Sequence, residues 1–147
     1  MSTFNRQSFY SSMFFLKYHL QSFRKHKTMA FNEDTAQRIR EFFQDKNADF
    51  YEKKMFSGLC FMVNEKMCCG THIDKKTGED LLLYRIGEEQ YDKALKKENV
   101  IPMEFTGKPM KGYVFVTENG HQNRKNLNDW LQLCLDFNPL AKASKKR

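Results

Sequence analysis

The sequence predicts an α+β domain of two layers, a mainly antiparallel five-stranded sheet with helices in the order α-β-β-β-α-β-β-α. Three observations carry that prediction. Apolar residues recur at three- and four-residue spacing in three stretches, around residues 36–43, 91–95 and 127–135. Between them lie short runs of aliphatic and aromatic residues joined by polar turns. The strands come in consecutive sets rather than alternating singly with helices, which points to an antiparallel sheet.

The elements follow in order. Asn32 is a plausible N-cap, and after it Ala36, Ile39, Phe42 and Phe43 share one face of a helix that runs to about Gln44. "KKMFSGLCFMV", Lys53 to Val63, has strand composition, with Leu59, Phe61 and Val63 alternating with Cys60 and Met62. Gly58 supplies a bend or bulge within it. "NEK" turns the chain into "MCCGTHI", and Asp74 to Glu79, a polar turn, leads into "DLLLYRI", which completes an antiparallel meander. At Gly87 the period changes: "GEEQYDKALKK" gathers Tyr91, Ala94 and Leu95, with acids in the first turn and lysines in the last, matching the helix dipole. "VIPMEFT" and "GYVFV" are two more strands, Pro102 marking an edge. "GKPMKG", Gly107 to Gly112, reads as a six-residue link, stiffened by Pro109, with Met110 folding back as an apolar plug. Asn126 is expected to cap a last helix with Leu127, Trp130, Leu131, Cys134 and Leu135 on one stripe, ended before Pro139.

At 147 residues the chain suits one domain, which buries roughly two-thirds of the surface of its unfolded chain. The net charge of +7 is not spread evenly. Residues 1–28 carry five basic residues and no acid, and residues 138–147 carry four and no acid. Removing those nine from the 25 basic residues leaves 16 against all 18 acids, so 29–137 has a net charge of about −2. A folded nucleic-acid reader concentrates positive charge on its binding face, whereas basic tails give weak, salt-sensitive, sequence-blind contact. The tails are expected to provide that weak non-specific contact at most.

Composition shifts at Met29, where acids and helical periodicity begin together. Residues 1–28 form a basic, acid-free extension, readable as a targeting segment, an amphipathic arm, or an extension upstream of a true start at Met29. The last reading is preferred, with a disordered segment as its consequence. The longest apolar run, Met13 to Leu16, is shorter than a secretory core, and no stretch approaches the roughly 20 apolar residues of a membrane helix. A cytoplasmic location and no membrane partner are expected.

The four cysteines show no zinc-knuckle spacing. Adjacent Cys68 and Cys69 are expected on opposite faces of a strand, with Cys68 and His72 on the same face, all of them core or strand thiols kept reduced in a cytosol-like compartment. No metal and no cofactor are expected. The body contains only His72 and His121, neither in a recognisable catalytic context, and His121 reads as a loop residue. Glu52, Glu65, Asp80 and Glu104 are scattered over strands or strand ends, and no catalytic dyad is assigned among them. "GKPMKG" lacks the spacing and Ser/Thr of a phosphate loop and leads into a strand, so nucleotide hydrolysis is rejected.

Taken together, "KKMFSGLCFMVNEKMCCG", "DLLLYRIGEEQYDKAL" and "PMEFTGKPMKGYVFV" resemble the N-terminal domain of the TfoX/Sxy competence-regulator family over roughly residues 29–137. The most specific pieces are Lys54, Met55 and Phe56 with Gly58; Arg85, Ile86 and Gly87; and Phe105, Thr106, Gly107, Lys108, Pro109, Met110, Lys111 and Gly112. Ser57 stands where a glycine is common in the family. The resemblance implies an α+β fold with a single antiparallel sheet. Family members include regulators of natural DNA uptake, thought to help a transcription activator work at certain promoters. Full-length regulators carry a second, helical domain, and only ten residues follow Phe137 here, so a stand-alone N-terminal-type domain is expected.

The resemblance implies a non-catalytic regulatory module whose partner is another protein, transcription-related. The glycines of "GKPMKG" admit a purely structural reading; the lysines admit a functional one, in which Lys108 and Lys111, with Arg85, present cations to an acidic partner or anion. The alternative function is a small anionic-ligand-binding or enzymatic domain with a pocket near Arg85, Lys108 and Lys111. Edge strands in a small sheet leave room for a homodimer.

Overall fold

Within the unit Phe31–Arg147, the computed structural model describes residues 31–55, 57–105 and 107–143. The extension 1–28 and residues 144–147 of the basic tail lie outside the described residues. Those described form α1 (Glu33–Asp45), β1 (Phe50–Met55), β2 (Gly58–Val63), β3 (Lys66–Ile73), β4 (Asp80–Arg85), α2 (Glu88–Leu95), β5 (Val100–Phe105), β6 (Lys108–Val116), α3 (Glu118–His121), α4 (Arg124–Phe137) and a 3₁₀ turn, Asn138–Leu140. The fold is α+β, with one open antiparallel sheet in the order β1-β2-β3-β4-β6-β5. The sheet has six strands where five were expected.

The extra strand comes from the stretch read as one, Lys53 to Val63. The chain reverses between Met55 and Gly58, which pair with each other, and Ser57 takes a left-handed φ of 58°. Gly58 therefore does not bend a strand. A Cβ there would lie 2.3 Å from the Thr71 carbonyl oxygen and 2.5 Å from the His72 Cβ, so its hydrogen is what lets β2 seat against β3. β1 is the resulting edge, and exposed Glu52, Lys53 and Lys54 blunt it against pairing with another chain. Arg40 of α1 grips Glu52 with Nε and Nη2 and Glu33 with Nη1, holding that edge to the helix layer. At the next turn Asn64 and Glu65 both have positive φ, as a tight two-residue hairpin requires.

The second departure is at the opening of β6. "GKPMKG" is not a free link: the chain turns between Phe105 and Lys108, and Lys108 and Pro109 already pair with Phe105 and Glu104. The register then shifts, and Gly112 forms the kink, with φ 92° and a carbonyl accepting both Ile86 N–H (2.9 Å) and Gly87 N–H (3.1 Å). A side chain at Gly112 would meet the backbone of Gly87 and Glu88 at 3.2–3.3 Å. Gly87 is confined in turn by the Phe137 ring, 2.5 Å from where its Cβ would be. This close approach of β6 to the exit of β4 is what the glycines of "RIG" and "MKG" provide. As expected, Pro102 lies on an edge strand, β5.

The helices cover one face of the sheet. α1 is capped by the Asn32 side chain, which accepts from Asp34 N–H and Thr35 N–H, and buries Ala36, Ile39, Phe42 and Phe43. α4 is capped by Asn123, not Asn126: its side chain accepts from Lys125 N–H and Asn126 N–H, one turn earlier than expected. Leu127, Trp130, Leu131 and Cys134 bury against the sheet, Trp130 stacking on Tyr84 with ring centroids 5.4 Å apart. Phe61, Leu82, Val114 and Val116 complete this core from the strands. A second apolar cluster lies on the opposite face, formed by Cys60, Met62, Met67, Leu83 and Met103 with Met55, Met110, Tyr113 and Phe115 around them. Every methionine among the described residues belongs to it.

A polar knot ties the helix layer to the sheet. The carboxylate of Asp80, buried at the start of β4, accepts from Thr35 Oγ1 of α1 (2.6 Å) and Thr71 Oγ1 of β3 (3.2 Å). The Asp80 carbonyl accepts from Nε2 of His121 (2.9 Å), and Arg38 Nη2 donates to the His121 carbonyl (2.8 Å). His121 is thus no loop residue: it ends α3 and is 1% exposed.

Two outcomes follow for stability. Gly58→Ala forces β2 off β3 and is expected to cost about 1–3 kcal/mol, read as a drop of several degrees in Tm; an unchanged Tm would mean that the strands part without cost. Asp80→Ala strands two buried hydroxyls and is expected to cost more than Thr35→Val, each on the order of 1–3 kcal/mol. The double variant is expected to fall short of the sum, because both changes break the same bond.

Candidate functional site

The methionine face carries a groove between the two hairpin tips. One arm, about 370 Å³, runs between the β1–β2 turn at Ser57, the β3 end at His72 and Asp74, and Glu104 and Phe115. The other, about 250 Å³, is walled by Met55, Met67, Met110, Tyr113 and Arg85 and ends at Lys142. Leu83 and Met103 line both arms and form a shared floor. Its walls arise from local sequence: Met55 stands at the end of β1 just before the reversal into β2, and Met110 lies in β6 just before the kink at Gly112. Unbranched, polarizable methionines suit a surface that adapts to an apolar occupant.

Of the three cations singled out from the sequence, only Arg85 lines the groove. It pairs across the sheet with Tyr113, and its guanidinium lies 5.4 Å from the Tyr113 ring centroid and 5.9 Å from that of Phe137. It donates to the carbonyls of Met67 (3.4 Å) and Lys142 (3.1 Å), so it also fastens the chain after α4 to the sheet. Lys108 and Lys111 are exposed on β6 and line neither arm. The structure therefore does not bring the three into one pocket. The motif residues divide similarly: Met55 and Met110 belong to the groove, Gly58, Gly87 and Gly112 are packing constraints, Gly107 supplies the left-handed turn at φ 80°, and Pro109 sits where β6 no longer pairs with β4. Phe56 and Thr106 lie outside the described residues, and Lys54 is exposed on the β1 edge.

The carboxylates stand apart. Glu52 is held by Arg40, Glu65 accepts from the Tyr51 hydroxyl (3.2 Å), Asp80 is in the buried knot, and Glu104 lines the groove. A third cavity, about 210 Å³, lies beside Trp130 with Asn99, Asn119 and Asn126, but the indole faces there are taken by Tyr84 and by Lys97, 5.0 Å from the ring centroid.

The cysteines depart from expectation. Phe61 pairs with Cys69 while Met62 pairs with Met67, leaving Cys68 as the extra residue of a β-bulge. Both Cys68 and Cys69 consequently enter the helix-side core, where an unbroken strand would separate them. The same bulge separates Cys68 from His72, which packs edge-on against Phe115, centroids 5.0 Å apart, in the groove.

Partial burial in the groove holds the imidazole of His72 below its usual range, against the opposing pull of Asp74 and Asp80. The fold thus favours the neutral ring, and the unfolded chain takes up the proton first. Stability from this site is full above the ordinary histidine range, near pH ~6.5, and is lost as pH falls below it. His72→Gln, neutral in both states, is expected to flatten the fall of Tm between about pH 7 and 5; parallel Tm curves for the two proteins would place the acid sensitivity elsewhere.

The described residues contain no helix long and apolar enough to cross a membrane. No curated protein and no solved structure matches the chain. One family does: the TfoX N-terminal domain matches residues 41–138, from within α1 through every strand and the whole of α4. That span contains the two hairpins, the Gly87–Gly112 contact and all but the last residues of the groove wall, and the chain belongs to the TfoX N-terminal domain family.

Proposed function

We propose that this protein is a non-catalytic regulatory module of the competence-regulator type, acting in the cytoplasm through contact with a transcription-related protein. The observation that carries this reading is membership of the TfoX N-terminal domain family. The methionine-walled groove supports it, because an apolar, adaptable cleft suits a protein segment better than a small anion. The anionic-ligand reading is weakened by the site itself: Arg85 already donates to two carbonyls, and Lys108 and Lys111 lie outside the groove. In this reading the exposed Lys108 and Lys111 of β6 contact an acidic surface as rim charges, which act more on the rate of encounter than on final affinity.

Affinity capture with the full chain from native, nuclease-treated lysate, followed by mass spectrometry, tests the proposal. Wild type is expected to retain a polymerase component or a transcription activator, and Lys108→Ala with Lys111→Ala to reduce that yield severalfold without lowering Tm. Arg85→Ala is expected to lower both, since it also releases Met67 and Lys142. Capture of no protein by wild type, together with a rise in Tm on adding anionic metabolites, would overturn the module reading in favour of a small-ligand domain.

A further inference from the structure

Building on the reading of the methionine face as a site for a protein segment, we propose that its occupant is acidic and amphipathic: bulky apolar side chains enter the two arms of the groove, and flanking carboxylates meet a rim of lysines. The groove is recessed. Leu83, Met67 and Met103 are no more than 5% exposed, whereas the large apolar residues that stand out among the described residues, Tyr51, Ile101 and Leu140, line neither arm. Side chains of an occupant therefore enter the protein, and the groove offers no protruding apolar group to drive into a bilayer. Two arms over one floor suit two anchors, and a few well-buried anchors carry most of the energy of an interface. Met55 and Met110, unbranched and half-buried on the walls of the second arm, accept leucine, isoleucine or phenylalanine without a fixed shape.

Charge selects the occupant. Lys75 and Lys76 line one arm and Arg85 and Lys142 the other, against two acids, Asp74 and Glu104. Even without Lys142 the lining is net positive, while residues 29–137 as a whole net about −2. Asp74 is engaged within its own turn, accepting from Thr77 Oγ1 at 2.8 Å, and Arg85 is engaged by two carbonyls. Among the described residues the ion pairs fall on Arg40, His121, Arg124 and Lys125, none of them in the groove, so Lys75, Lys76 and Lys142 keep their charge for an occupant. Register adds Lys53, which pairs with Cys60 and stands two residues before Met55 on the same face.

The same features disfavour other occupants. A second copy seated face to face would set one lysine rim against another, and like charges across an interface suppress pairing. The chain's own C-terminal residues, Lys145, Lys146 and Arg147, carry the same sign. A single nucleic-acid strand needs free aromatic faces on which its bases stack. Here Phe115 packs against His72, with centroids 5.0 Å apart, and the Tyr113 ring is faced by Arg85. An acidic protein segment satisfies both halves of the site: its carboxylates are steered by the rim, and its apolar side chains displace water from the floor.

Fluorescence anisotropy of the full chain with three synthetic peptides of equal length is the test. One carries leucine and phenylalanine anchors among aspartates and glutamates, one has lysines in place of those acids, and one has serines in place of the anchors. The acidic peptide is expected to bind at least about tenfold more tightly than either of the others, and to weaken severalfold from about 0.05 M to about 0.3 M salt. Lys75→Glu with Lys76→Glu, both exposed loop positions, is expected to weaken it severalfold with Tm unchanged. With isotope-labelled methionine methyls, the resonances of Met55, Met103 and Met110, each assigned by a Met→Leu variant, are expected to shift as that peptide is added. Equal binding of the acidic peptide and either of the others, groove methyls that stay unmoved, or binding to phosphatidylserine vesicles alone would overturn the proposal. A transcription partner is decided separately. Peptide preference with no transcription component captured from lysate leaves the acidic-segment assignment standing and removes that partner. No peptide preference, with such a component captured equally by wild type and by the Lys75→Glu, Lys76→Glu protein, does the reverse.

Discussion

The carboxylate of Asp80 holds the two layers in register. It is buried at the first residue of β4, where an unpaired charge would be costly, and it is tolerated because hydroxyls from α1 and β3 donate to it while its own carbonyl receives His121 from α3. Four elements distant in sequence therefore meet at one residue, and apolar packing alone would leave their relative slide less constrained. Thr35 and Thr71 have no other obvious reason to interrupt a core. His121 Nε2 donates to the Asp80 carbonyl and lies 3.9 Å from its carboxylate, while the ring's Nδ1 has no hydrogen-bond partner among the described residues.

From that anchor the sheet builds outward to two unlike faces. The helix side is aromatic and aliphatic, with Phe43, Phe50 and Phe61 in mutual contact and Tyr84 stacked on Trp130. The other side is methionine, and the two hairpins that wall its groove depend on glycines that admit close backbone approach. Gly58 sets β2 on β3, and Gly112 sets β6 on the exit of β4. Groove and core are thus consequences of the same backbone contacts. Arg85 joins them, since one guanidinium reaches a groove wall, two aromatic rings and the chain beyond α4.

The elements that were legible in the sequence are those governed by local rules. The Asn32 cap, the stripes of α1 and α4, the alternation of Leu59, Phe61 and Val63 with Cys60 and Met62, and the edge position of Pro102 all read directly. What went unread involved pairing between distant residues. The reversal between Met55 and Gly58 was hidden because Ser57, rather than the neighbouring glycine, takes the left-handed φ, and Gly58 alone reads as a bend within one strand. The bulge at Cys68 is a property of two strands, and no residue in "MCCG" declares it. Asn123 and Asn126 are equivalent as caps on paper, and the packing of Leu127 and Trp130 decided between them.

The site divides on the same line. By itself the sequence determined the class of fold, the family, the uneven distribution of charge and Arg85 as a residue of interest, because composition, periodicity and short motifs are written along the chain. Only the tertiary structure decided that Arg85 faces a groove without Lys108 and Lys111, that five methionines from five strands share one face, and that three cysteines share the other. A change of one residue in register moves a side chain to the opposite face of a sheet, and register is set by partners that the local sequence does not name.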